Sequence, residues 1–335
     1  MVAPSRGLLV ALAFASFTTF ATFATFATAP EARQRPAANA RTAAPAAGPA
    51  APVKPWTPPR TSWGDPDLDG VWNYATMTPF ERGRDMAGKE LLTPEEAALF
   101  VQDTIARRAT GNQTAGPDWW DPGTSVMNDR RTSLVVDPPD GRVPPLTPEA
   151  QKRQAARGRG SRTNPEAPED LALNERCILF PSAGPPMMPG VYNNNVQFIQ
   201  TPPFVVIYNE MIHEARIVPM DGRPHGTTRR WMGDSRGHWE GQTLVVDTIN
   251  FIDKVNYRGS SEHLHLVERF TRTASDTLEY RFTVDDPTTF TRQWSAEMPM
   301  TRIPGLMYEY ACHEGNERSV VGSLSGTLAT ARGNK

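Results

Sequence analysis

All six histidines of the chain, His213, His225, His238, His263, His265 and His313, fall in its C-terminal half. Imidazole changes charge near neutral pH and ligates metals, so this clustering is where acid–base or metal chemistry is sought first. His263 and His265 are two residues apart. On a strand both point to one face, the arrangement in which His-x-His sites present two imidazoles to a divalent metal. Val267 and Arg269 share that face, whereas Leu264, Leu266 and Phe270 mark the opposite face as core-directed. Two readings stand, a metal pair or two surface histidines. Glu262 and Glu268 fall on the Leu264 face by parity, so a third ligand must come from another element.

His213-Glu214 and His313-Glu314 sit at the ends of expected strands, where an imidazole can turn toward a pocket mouth and act as a general base. Adjacent strand residues point to opposite faces, so neither pair is a dyad in itself. In GDSRGHWEG, Asp234, Arg236, His238 and Glu240 would gather on one face if the segment were extended. Gly233, Gly237 and Gly241 argue instead for a tight turn satisfied by Asp234 and Arg236, leaving His238 and Glu240 as catalytic candidates. Tyr192 and Trp239 offer aromatic surface, Asn194 an amide and Arg269 a guanidinium for a bound ligand, against the plainer reading of the aromatics as core. The GPPMMPG loop, with Met187 and Met188, reads as a rigid pocket wall. Motifs with firm mechanical meaning are absent: no P-loop, no Gly-x-Gly-x-x-Gly, no Gly-x-Ser-x-Gly, no His-Glu-x-x-His and no Cys-x-x-Cys.

The only cysteines, Cys177 and Cys312, stand far apart in NERC and ACHEGN. In an oxidising compartment such a pair forms a disulfide closing a long loop. The competing reading is a free thiol nucleophile beside His313.

The elements that must position these groups begin after an export signal. Residues 1–29 hold one early Arg, an apolar stretch and small residues at its end, which predicts a cleavable signal peptide and no stable membrane anchor afterwards. Residues 30–60, rich in Ala and Pro, predict a disordered linker. Thr93-Pro94-Glu95-Glu96 predicts a capped helix over about 94–108, and Thr147-Pro148-Glu149 a second over about 147–157. SLVVDPPDG predicts a strand ended by a turn. The run from Gln151 to Glu169 reads as an exposed excursion. From Asn195 onward short strands are expected near VQFIQT, FVVIYN, ARIVPM, RRWMG, TLVVDTIN, HLHLVERFTR, TLEYRFTVD, RQWSAEMPM and MYEYAC. Leu278, Tyr280, Phe282 and Val284 alternate with polar residues, as do Trp294, Ala296, Met298 and Met300, so one face of each strand is buried. The fold class is mainly β, an antiparallel meander forming a barrel or sandwich within one domain over 61–330. GVW after a polar turn makes a closed, lipocalin-like barrel one version of it. Lys and Arg number 35 against 37 Asp and Glu, which supplies no cationic surplus for nucleic acid.

The segments PDLDGVW, RTSLVVDPPDGR, NERC, GDSRGHWEG, SEHLHLVERF and YEYACHEGN, in this order, resemble those of a widespread family of exported bacterial proteins of uncharacterised activity, over most of residues 60–325. The resemblance implies an exported single-domain protein and no particular reaction. Three functions remain. One is a polar-lined pocket for a small organic molecule, lipidic or glycan-derived, outside the cytoplasm. The others are a metal-dependent hydrolase or lyase, and a structural or partner-binding envelope protein. A pocket containing several histidines would separate the first two from the third.

Overall fold

The computed structural model describes residues 56–111, 123–157, 165, 167–254 and 257–333. The expected signal segment, the linker up to residue 55 and part of the excursion (158–164 and 166) lie outside these residues. At the end of the segment expected as linker, Arg60 forms a β-bridge with Pro66.

Ten strands pair antiparallel into one sheet: β1 (Gly70–Asn73), β2 (Val135–Asp137), β3 (Asn195–Thr201), β4 (Phe204–Asn209), β5 (Ala215–Pro219), β6 (Asp234–Glu240), β7 (Thr243–Ile249), β8 (His265–Ala274), β9 (Thr277–Asp285) and β10 (Trp294–Ile303). The spatial order is β5-β4-β3-β1-β10-β9-β8-β7-β6, with β2 added on β10. Two local meanders, β3 to β5 and β6 to β10, are thus joined by β1 lying between β3 and β10. The fold is mainly antiparallel β as the alternation predicts, and every residue of the Leu278 and Trp294 series is fully buried.

The sheet is not closed: β5 and β6 end it, and no ladder joins them among the described residues. They nevertheless meet. Val218 and Met220 pack so tightly over Gly237 that a Cβ there would lie 2.9 Å from Val218 Cγ1 and 2.4 Å from Met220 Sδ. This corrects the turn expected for GDSRGHWEG. The segment is strand β6, its turns are Gly233 (φ 70°) and Gly241 (φ 64°) at either end, and Gly237 is the site of close approach.

Two further expectations fail. RRWMG makes only one bridge, Arg230 to Phe251, before turning. MYEYAC forms no strand, because the chain leaves β10 at Ile303, turns at Gly305 (φ 103°) and runs with exposed Leu306 and Tyr308 to Cys312.

Helices α1 (Pro94–Gly111) and α2 (Pro148–Arg157) start where their caps predict. The Glu96 N–H donates to Thr93 Oγ1 at 3.2 Å and the Thr93 N–H to Glu96 Oε2 at 2.9 Å, a reciprocal capping box. A third helix, α3 (Asn316–Gly333), is not foreseen. Its Ser-, Thr- and Gly-rich run lacks apolar periodicity, and only Asn316, Val320, Leu324 and Thr327 are half-buried up to residue 327. No helix among the described residues is long and apolar enough to cross a membrane.

Candidate functional site

The outer face of β6, β7 and β8 collects most of the ionisable groups singled out in the sequence. Because β6 is extended, Asp234, Arg236, His238 and Glu240 do share this face, with Asp247 of β7 and His265 and Arg269 of β8 beside them. The loop before β6 is tied down by the Arg236 Nε–H on Pro224 O (3.0 Å) and the Gly226 N–H on Asp234 Oδ2 (2.7 Å). It thereby delivers His225 over the strands. Asp247 bridges two imidazoles: His225 Nε2 lies 2.8 Å from its Oδ1 and His265 Nε2 2.6 Å from its Oδ2. A carboxylate only accepts, so both nitrogens carry the proton. His225 Nδ1 is buried without a hydrogen-bond partner, 3.5 Å from Asp234 Oδ2.

Electrostatics follow this geometry. The bond to Asp247 raises the His265 pKa above its ordinary value, with burial opposing. Burial pushes the Asp247 carboxyl up, but the two imidazoles outweigh it and the net direction is down. Asp234 behaves alike, with the Gly226 N–H and the Arg236 guanidinium (2.7 Å) overcoming burial. Farther along the face, Arg269 and His238 both bond Glu240, and Arg269 foremost lowers its pKa. His238 and Glu240 are therefore an exposed ion-paired group, and Arg269 is engaged with Glu240.

His263 is not part of this face. Strand β8 begins at His265, so parity does not extend to His263, which sits in the preceding turn with its side chain 59% exposed and Glu262 at 4.0 Å. No group of three or more His, Cys, Asp or Glu placed to hold a metal occurs among the described residues.

A second grouping forms around the Cys177–Cys312 disulfide, whose Cα atoms are 5.8 Å apart. Both cysteines are oxidised, which removes the thiol-nucleophile reading. The bridge brings His313 within 6.0 Å of His213, ring to ring, and Tyr310 onto Tyr192 at 6.3 Å. His213 Nδ1 contacts Tyr310 O at 3.2 Å, and Ile212 and His213 both hold positive φ (59° and 46°). Asn194 is fully buried and clamps its own loop through both Gly190 backbone groups, so it is a structural amide. Trp239 packs half-buried on the core, and its Nε1–H has no partner among the described residues.

Two clefts open on the surface, and no histidine lines either. One, of about 450 Å³, lies at the seam where β5 and β6 fail to pair, among Glu214, Arg216, Arg230 and Asp234. Burial there raises the Glu214 carboxyl. The other, of about 840 Å³, has an apolar floor of Leu171, Leu173, Leu179, Phe180 and Met188, with Arg176, Lys254 and Arg258 among its polar lining. The GPPMMPG loop supplies its wall. Met187 points into the core with its N–H on Tyr280 Oη (3.1 Å), while Met188 lines the cleft and accepts from the Tyr257 hydroxyl (3.0 Å).

Sequence reasoning missed three sets of residues. His225 and Asp247 complete the His265 cluster, and only β7–β8 register and a loop return reveal them. Inside the sheet, Arg216 forks onto fully buried Glu268, with Nη2 to Oε1 at 3.1 Å, and Tyr280 Oη donates to the same oxygen at 2.7 Å. The parity of Glu268 with Leu264 and Leu266 marks it as a buried charge, which needs a partner. On the outer face of β9 and β10, burial and the neighbouring Glu297 carboxyl push Glu279 up to about 7. No family model matches the chain, and a comparison with curated proteins found no significant match.

Proposed function

We propose that this is an exported binding protein whose 840 Å³ cleft takes a small, largely apolar organic molecule outside the cytoplasm. The observation that carries the reading is the composition of that cleft. Five apolar side chains line it together with a smaller set of charged and polar groups, the usual composition of a small-molecule site. Its size suits a drug- or lipid-sized ligand, for which sites run from about 300 to 1,000 Å³.

The walls are fixed before any ligand arrives. Met187 is anchored to Tyr280, Cys177 to Cys312, and the Tyr257 ring stacks on buried Trp294 at 6.2 Å. A preformed wall lowers the entropic cost of binding. The disulfide agrees with an oxidising compartment, and the apolar N-terminal segment with export. The metal-dependent hydrolase has less support, since His265 is engaged with Asp247 and no histidine lines either cleft.

The test is to titrate the mature protein with a neutral apolar dye and compare it with Ala172→Trp, which fills the cleft from a half-buried position. Saturable one-to-one binding in the wild type, lost in the variant, is expected. Equal binding by both proteins, or none by the wild type, overturns the reading.

A further inference from the structure

Within that cleft the polar groups are not evenly shared. Lys254, Tyr257 and Arg258 bring to the lining an ammonium, a phenolic hydroxyl and a guanidinium, of which the two cations can only donate. Arg258 is engaged, paired with Glu81 and stacked 4.7 Å from the Phe80 ring centroid. Lys254 and Arg176 also line the cleft and form no ion pair among the described residues. Two acids, Glu169 and Asp170, are part of the same lining, and Asp170 accepts the Ala167 N–H at 2.9 Å.

Tyr257 is the more pointed observation. The residue is only 9% exposed, and among the described residues its hydroxyl has one partner, the Met188 sulfur, at 3.0 Å. A thioether is a weak acceptor, so a nearly buried donor is left poorly satisfied. Both Tyr257 and Met188 line the cleft, and the stack on Trp294 holds the ring in place. An acceptor on a ligand would satisfy this hydroxyl better than the thioether does.

We propose that the ligand is a single-chain amphiphile with an anionic head, a carboxylate in the simplest case. The chain lies on Leu171, Leu173, Leu179 and Phe180. The head accepts from Tyr257 and sits between the charges of Arg176 and Lys254. This rests on the cleft being the binding site, and it adds which chemistry enters it.

The experiment is calorimetric titration, below micelle formation, with dodecanoate and dodecanol, which share a chain and differ in the head. Proteins are the wild type, Tyr257→Phe, Arg176→Ala/Lys254→Ala and Ala172→Trp, each checked for folding by circular dichroism. Dodecanoate is expected to bind wild type about tenfold more tightly than dodecanol, the scale of one added charge-assisted hydrogen bond. That preference should shrink severalfold in Tyr257→Phe and vanish in the double variant. If both ligands bind wild type equally and Ala172→Trp abolishes both, the anionic head is wrong and the cleft survives. If neither binds saturably, the cleft reading fails and this inference with it.

Discussion

The two faces of the β6 to β9 region carry charge networks of similar composition and opposite standing. Inside, Arg216 and Glu268 face each other with side chains 6% and 0% exposed, and Tyr280 completes the group. Outside, Asp247 joins His225 and His265 with side chains 21% to 41% exposed. In the interior every charge must be met by a partner, because the alternative is an ion stranded in a low-dielectric medium. On the outer face water shares the work, so each contact is worth less and can titrate or exchange. The interior network therefore reports on folding, and the exterior one on conditions.

The sharpest way to break this comparison is Glu268→Ala, which strands Arg216. Chemical unfolding should show a loss of about 3–5 kcal/mol, whereas Arg216→Met/Glu268→Leu, which removes both charges, should recover most of it. A loss below about 1 kcal/mol in Glu268→Ala would mean that water reaches the interior pair and that the two faces are alike.

Glu279 gives an intermediate case, because burial beside Glu297 raises its pKa to about 7. A raised carboxyl contributes fully below its ordinary value near pH 4.3, and the contribution is lost as pH rises through about 7. Glu279→Gln should match wild type at pH 4.5 and exceed it at pH 8, by about 1 kcal/mol after discounting for solvent. Parallel stability curves for the two proteins would contradict the carboxyl pairing.

The smallest effect is expected at His265. Its raised pKa means that its contribution is complete below about pH 6.5 and fades as pH rises through the folded value. The lowered Asp247 contributes above about pH 3.9 and fades as pH falls through its folded value. Both act together between roughly pH 4 and 6.5. His265→Gln should cost about 0.5–1 kcal/mol at pH 5.5, less at pH 8.5, and less again in high salt. Thermal melts at the two pH values decide it. A cost that is independent of pH and salt would place His265 with the interior network.

How much of this was legible depends on the kind of signal. Period-two alternation marked Leu278 to Val284 and Trp294 to Met300 as buried, and the Thr93 and Thr147 caps located two helices, because these signals act within a few residues. Glycine misled at Gly237, where the same residue type that makes turns also permits two strand edges to touch. The histidine cluster was half legible. Spacing along the chain joins His265 to His263, whereas the hydrogen-bond partner comes from β7 and the second imidazole on it from a returning loop. The GPPMMPG part of the cleft lining is visible as rigid chemistry, but Lys254, Tyr257 and Arg258, which also line it, lie far along the chain and carry no local mark.

The sequence by itself determined the class of fold, the strands that bury one face, the helix starts and the two cysteines available to pair. Those follow from side-chain periodicity, capping and composition, which are properties of neighbouring residues. Only the tertiary structure decided that β1 joins two meanders, that β5 and β6 meet without pairing, and that Arg216 reaches Glu268. It also decided that Asp247 bridges His225 and His265, and that the Tyr257 hydroxyl meets Met188. Such contacts join residues tens to more than a hundred positions apart, and their existence depends on strand register and loop return, which no local pattern encodes.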